Sequence, residues 1–129
     1  MQGIYRASPI AALAAFVLVS LPVPVLAQEK GELAFNNSCR TCHSIKPGEN
    51  RLGPSLSNVF GKKAGSGTGY GSYSQGMVNS GIVWDEATLD KFITNPDSVV
   101  PNNNMKPFTG LSDPAVRKEI IEFLKSAAK

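Results

Sequence analysis

Histidine occurs once in these 129 residues and cysteine twice. That scarcity excludes most metal chemistry before any motif is considered. A structural zinc site takes about four Cys, His or carboxylate ligands, and the chain has no second Cys/His cluster to complete one. Strand signals are missing too. No run of alternating or β-branched residues precedes the cysteines, and no segment of the chain repeats another. Basic residues outnumber acidic ones only 13 to 10 and are scattered, without a basic run interleaved by aromatics. Nucleic acid is therefore not an expected partner, despite a pI near 9.0.

What is present is concentrated. Cys39-Arg40-Thr41-Cys42-His43 contains every cysteine and the one histidine of the chain. The C-x-x-C-H spacing is that of covalent haem attachment. Each thiol adds to one vinyl group of the porphyrin, and the next residue brings an imidazole nitrogen beneath the iron. A thioredoxin-like redox pair uses C-x-x-C as well, but normally beside a βαβ pattern, which is absent. A disulfide across two intervening residues would be strained and would leave His43 without a role.

The N-terminal stretch reads as separate from the rest. Arg6 is followed by an almost continuous apolar run from Ile10 to Leu21, then Pro22 and Pro24 as helix breakers, then Val25-Leu26-Ala27. These are the three regions of a secretory signal, with cleavage expected after Ala27. The alternative is an uncleaved anchor, which wants about 20 apolar residues. This run is shorter and is interrupted by Ser20 and two prolines. Residues 1–27 are thus expected to be a cleaved signal and 28–129 a single domain.

Within that domain the patterning is helical. Glu29 to about Thr41 reads as a helix that contributes Leu33, Ala34 and Phe35 to the interior and is closed by the cysteine motif. Residues 44–83 hold most of the glycine and no long periodic element, which suits a loop wrapped around a bound group. Leu52, Leu56, Val59 and Phe60 are its expected apolar contacts, and Ser74–Ser80 has room for one or two helical turns. Asp85 is a plausible N-cap, with Leu89, Phe92 and Ile93 at helical spacing and Asn95-Pro96 as the stop. Ser112-Asp113-Pro114 opens a last helix carrying Val116, Ile120, Phe123, Leu124 and Ala127 along one stripe. The expected class is all-α, with three principal helices and long loops.

One histidine leaves the sixth iron position to methionine, lysine, asparagine or nothing. Met105 stands in the polar, proline-bounded loop Pro101-Asn102-Asn103-Asn104-Met105-Lys106-Pro107, where no helical stripe recruits it as core. Met77 sits among Tyr73, Val78 and Ile82 and reads more readily as packing. Met105 is the preferred ligand, with Met77 as the alternative.

Taken together, these residues resemble a soluble class I c-type cytochrome. Gly31 and Phe35, the haem motif, Leu52-Gly53-Pro54-Ser55-Leu56, Val59-Phe60-Gly61-Lys62-Lys63, Gly81-Ile82-Val83-Trp84, Asn95-Pro96 and Pro101 to Met105 carry the likeness over nearly the whole domain. The resemblance implies the fold of that family, three principal helices and long loops around one haem c held by Cys39 and Cys42, with His43 and Met105 as axial ligands. It implies that the Pro54 carbonyl holds the far nitrogen of His43, that Tyr73 and Trp84 donate toward a haem propionate, and that Gly31 and Phe35 meet Phe123 and Leu124. It implies an electron carrier, not an enzyme, exported to the periplasm, monomeric, and docking transiently with membrane-bound donor and acceptor complexes without stable membrane insertion. A haem enzyme or gas sensor would follow instead if Met105 left the iron open. Phe92 and Met77 stand where the family often has tyrosine and asparagine, and Asp97, Ser98 and Asn104 dilute its lysine-rich face. Lys46, Arg51, Lys62, Lys63 and Lys106 remain to surround a haem edge.

Overall fold

A computed structural model describes Gly3 and residues 23–128, so most of the expected signal segment lies outside the described residues. Five helices occur there: α1 (Val23–Ser38), α2 (Gln75–Asn79), α3 (Glu86–Thr94), α4 (Pro96–Val99) and α5 (Pro114–Ser126). No strand is present among the described residues, and the one β-bridge pairs Lys63 with Val83. The all-α class follows.

Helix α1 begins earlier than the sequence suggested. The described part of α1 already contains Pro24 and runs on through Val25-Leu26-Ala27, so this proline does not separate those residues from the helix. Val25 and Leu26 there are 48% and 52% exposed; good local helix formers, Leu26 to Lys30, sustain these turns without packing. The helix also ends earlier than expected, at Ser38. Cys39 N–H and Arg40 N–H both donate to the Phe35 carbonyl (2.8 and 3.1 Å), and Cys42 and His43 N–H both donate to the Cys39 carbonyl (3.1 and 2.9 Å). The haem motif is therefore a turn of its own after the helix. Of the three apolar residues expected inside, Ala34 and Phe35 are buried but Leu33 is 61% exposed. Leu33 stands on the far side of α1 from Gly31 and Phe35, which take the contact with α5.

That contact is the most extensive helix pairing among the described residues. Phe35 and Phe123 rings lie 5.4 Å apart at 44°. Helix α5 starts on an Asp113 cap with Pro114 at its first position, and buries Ile120, Ile121, Phe123 and Leu124. Helix α3 opens on a reciprocal capping box: Thr88 N–H donates to Asp85 Oδ1 (2.7 Å) and Asp85 N–H to Thr88 Oγ1 (2.8 Å). It buries Leu89, Phe92 and Ile93.

Asn95-Pro96 ends α3 but does not end helical structure. Asn95 is at once the C-cap of α3 and the N-cap of α4, its side chain accepting from Ser98 N–H at 3.2 Å, and Pro96 starts the short α4. The proline that cannot continue one helix is preorganised to begin the next.

Arg117 has no counterpart in the sequence reading. It is buried on α5, its Nε donates to Asp90 Oδ1 on α3 (2.7 Å), and its Nη1 donates to the Leu111 and Ser112 carbonyls (2.9 and 3.0 Å). One guanidinium thereby joins α3, α5 and the incoming loop. The long glycine-rich loop closes on itself at its base. Ala64 N–H donates to Ile82 O (2.8 Å), Trp84 N–H to Lys62 O (2.9 Å) and Gly61 N–H to Trp84 O (2.8 Å).

Candidate haem site

The loop and the helices enclose one large apolar cleft, with about 1400 Å³ of empty space including its open mouth. Its back wall is Leu89, Phe92 and Ile93 of α3 with Ile120, Ile121 and Leu124 of α5. Cys39, Cys42, His43, Pro54, Tyr73, Trp84 and Met105 all line it. Residues separated by more than sixty positions in sequence thus face one space.

Leu56 and Val59 also line the cleft, and Leu52 stands at its mouth, 76% exposed. Phe60 does not reach the cleft; it packs half-buried against the core instead. Met77 lines the cleft as well as touching the core.

Both cysteines are free thiols. Burial, and secondarily the neighbouring Cys42, push the Cys39 thiol up to about 12, so it is held as the neutral S–H. His43 is buried, and burial pushes its pKa down, opposed by the hydrogen bond to Pro54. Its Nδ1 lies 2.7 Å from the Pro54 carbonyl oxygen. A carbonyl only accepts, so Nδ1 carries the proton and the neutral ring keeps its lone pair on Nε2. That is the tautomer a metal-binding imidazole needs. Gly53 makes the approach possible: a Cβ there would lie 2.4 Å from His43 Cε1.

The loop carrying Met105 is held by three consecutive asparagines with different tasks. Asn102 adopts positive φ (59°), which asparagine tolerates better than most residues. Asn103 is 3% exposed. Its Nδ2 donates to Asp97 Oδ1 (2.8 Å) and Val100 O (2.9 Å), and its Oδ1 accepts from Met105 N–H (2.9 Å). Asn104 Nδ2 donates to Ser72 O across the cleft mouth (2.8 Å). None of these roles is visible in the composition of a polar loop.

Tyr73 Oη accepts from Gly67 N–H (3.1 Å), which leaves its own proton free, and its ring meets Tyr70 edge-on at 4.8 Å. The Trp84 indole N–H has no hydrogen-bond partner among the described residues, and its ring lies 5.2 Å from Phe92. Of the five cationic residues expected around the edge, Lys62, Lys63 and Lys106 line the cleft. Lys46 and Arg51 do not line it and pair with Glu49.

The donor set fits a covalently attached haem. Two free thiols, an imidazole with an available nitrogen and thioether side chains share one apolar cleft that opens at its mouth.

No family model matches the chain. Comparison with individual proteins is decisive. Over 88 residues the chain is 44% identical to cytochrome c2 iso-2 of Magnetospirillum molischianum, covering 68% of this chain and 89% of that one. It is 48% identical over 99 residues to cytochrome c2 of Rhodomicrobium vannielii, 74% of each chain. It is 39% identical over 102 residues to cytochrome c of Arabidopsis thaliana, 78% of this chain and 89% of the other. An all-α scaffold around a cleft that gathers two thiols and an imidazole defines a c-type haem protein. The chain belongs to the cytochrome c family, as a class I c-type cytochrome similar to bacterial and mitochondrial members. Its cofactor is haem c, and its work is electron transfer, not catalysis.

Proposed function

We propose that His43 and Met105 are the axial ligands of the iron, that Cys39 and Cys42 carry the haem, and that the protein shuttles electrons in the periplasm between membrane-bound complexes. The observation that supports the ligand set is the gathering of all four residues on one apolar cleft, with His43 Nδ1 tied to Pro54 O at 2.7 Å. When bound, the haem iron stores and releases a single electron by alternating between Fe(II) and Fe(III).

The chain's own residues set the conditions for that exchange. Pro54 orients His43 and strengthens it as a donor. Leu89, Phe92, Ile120 and Leu124 keep water away and lower the local dielectric, which together with histidine/methionine ligation raises the potential. Tyr73 Oη and the Trp84 indole offer protons toward a propionate, offsetting the cost of placing that charge near an apolar wall. Lys62 and Lys63 make the mouth positive and favour weak, steered encounters with acidic surfaces, whereas Lys106 is paired with Asp97.

Residues 1–27 are proposed to direct export and to be removed after Ala27. No helix among the described residues is long and apolar enough to cross a membrane, and Val25 and Leu26, just ahead of the proposed cleavage point, are exposed and outside the core. Carbon monoxide tests the carrier reading. The native ferrous protein should not bind it at neutral pH, because both axial positions are filled; ready binding would mean an open site and overturn the reading.

A further inference from the structure

We propose that Asn103, backed by Asp97, is a positioning clamp that holds the Met105 loop closed and sets how readily the methionine leaves the iron. The proposal rests on Met105 being the axial ligand.

The argument starts from the burial of a polar side chain. Asn103 is 3% exposed, and a buried amide is costly unless its hydrogen bonds are made. All the bonds it makes run to the same short segment. Nδ2 donates to Asp97 Oδ1 and Val100 O, and Oδ1 accepts from the N–H of Met105. The orientation is forced: a flipped amide would face its oxygen toward a carboxylate and a carbonyl, neither of which can donate. Asp97 completes the chain on the outside. Its second oxygen pairs with Lys106, the residue that follows Met105. Met105 is thus gripped through its own amide and through its neighbour, and both grips converge on Asp97.

The geometry is directional in a way that packing is not. Met105 itself is only half-buried and contributes no backbone hydrogen bond to any helix. Its N–H is paired by Asn103, whose Nδ2 is tied back to Asp97 and Val100, so an opening that carries Met105 away from that segment must break an Asn103 bond. The clamp belongs to this chain's own Asp97, Asn103 and Lys106 and acts on the ligand's backbone, not on its sulfur.

The test uses the ferric holoprotein with free imidazole as the entering ligand, in parallel with amide hydrogen exchange at Met105 and urea unfolding followed by far-UV circular dichroism. Asn103→Ala should speed imidazole capture and Met105 amide exchange about tenfold or more. The charge-transfer band from thioether to ferric iron should persist. Asp97→Ala, at an exposed position that leaves the buried amide in place, should accelerate both by a smaller factor, about threefold. Asp97→Asn, which keeps an acceptor for Nδ2, should recover most of that loss. Capture and exchange within about twofold of wild type in both alanine variants would overturn the clamp. So would an acceleration no larger than expected from an equal drop in urea midpoint, since that reports general loosening. Met105→Ala is the control: if it keeps the charge-transfer band, the ligand reading itself fails and the clamp with it.

Discussion

Gly31 of α1 and Glu119 of α5 meet backbone to backbone. A Cβ at residue 31 would lie 2.6 Å from the Glu119 carbonyl oxygen and 2.7 Å from Phe123 Cβ. Neither obstacle is the end of a flexible side chain, so the helices would have to separate. Gly31→Ala gains about 1 kcal/mol of helix propensity, yet should destabilise the protein by a net ~1–2 kcal/mol through overpacking. Urea unfolding measures it; a stabilised variant would show that the crossing has slack.

Arg117 should be the costliest polar residue of the core to remove. Arg117→Ala abandons the Leu111 and Ser112 carbonyls and the Asp90 carboxylate, which is itself partly solvated. The expected loss is about 2–3 kcal/mol. Arg117→Lys should restore little, because one ammonium cannot reach all three acceptors in the guanidinium's fixed fork. Equal stability of the lysine variant and wild type would contradict the threefold anchoring.

The capping box of α3 predicts an acid response. The Thr88 N–H, then the Thr88 hydroxyl, hold the Asp85 carboxyl below its ordinary value. A group depressed in the folded state contributes stability that is fully present above its unfolded pKa and is lost as pH falls through the folded one. Urea midpoints should therefore fall as the pH drops through and below the ordinary aspartate range of about 4. Asp85→Asn, which still caps the helix, should flatten that part of the profile. An unchanged slope in the variant would remove Asp85 from the account.

Electrostatic steering is tested by reversing charge at the cleft mouth. Lys62→Glu and Lys63→Glu should slow reaction with an acidic redox partner several-fold (about three- to tenfold) at low salt, and the difference should shrink as ionic strength rises. Rates independent of salt would exclude steering by these lysines.

How much of this was legible beforehand depended on how local each signal was. The haem motif lies within five consecutive residues and needs no fold to be recognised. The α3 and α5 stripes were equally plain, since caps and helical spacing agree in both segments. Gly31 was placed by resemblance alone, because nothing in its local pattern names the Glu119 backbone that it approaches; only α5 supplies that partner. Leu33 was misplaced because three neighbouring apolar residues cannot all share one helical face. The reach of α1 and the existence of α4 were missed for a related reason: proline was read as a stop in both places, yet α1 includes Pro24 and α4 begins on Pro96. Arg117 and Asn103 were invisible because their partners come from other elements or from backbone carbonyls. Met105 stood between these cases, suggested by its loop and selected by resemblance.

Ligation at Met105 is the central claim, and near-infrared absorption of the ferric holoprotein tests it most directly. The account predicts a thioether-to-iron charge-transfer band that is present in wild type, retained in Met77→Ala and lost in Met105→Ala. A band that survives in Met105→Ala, or disappears in Met77→Ala alone, would contradict it.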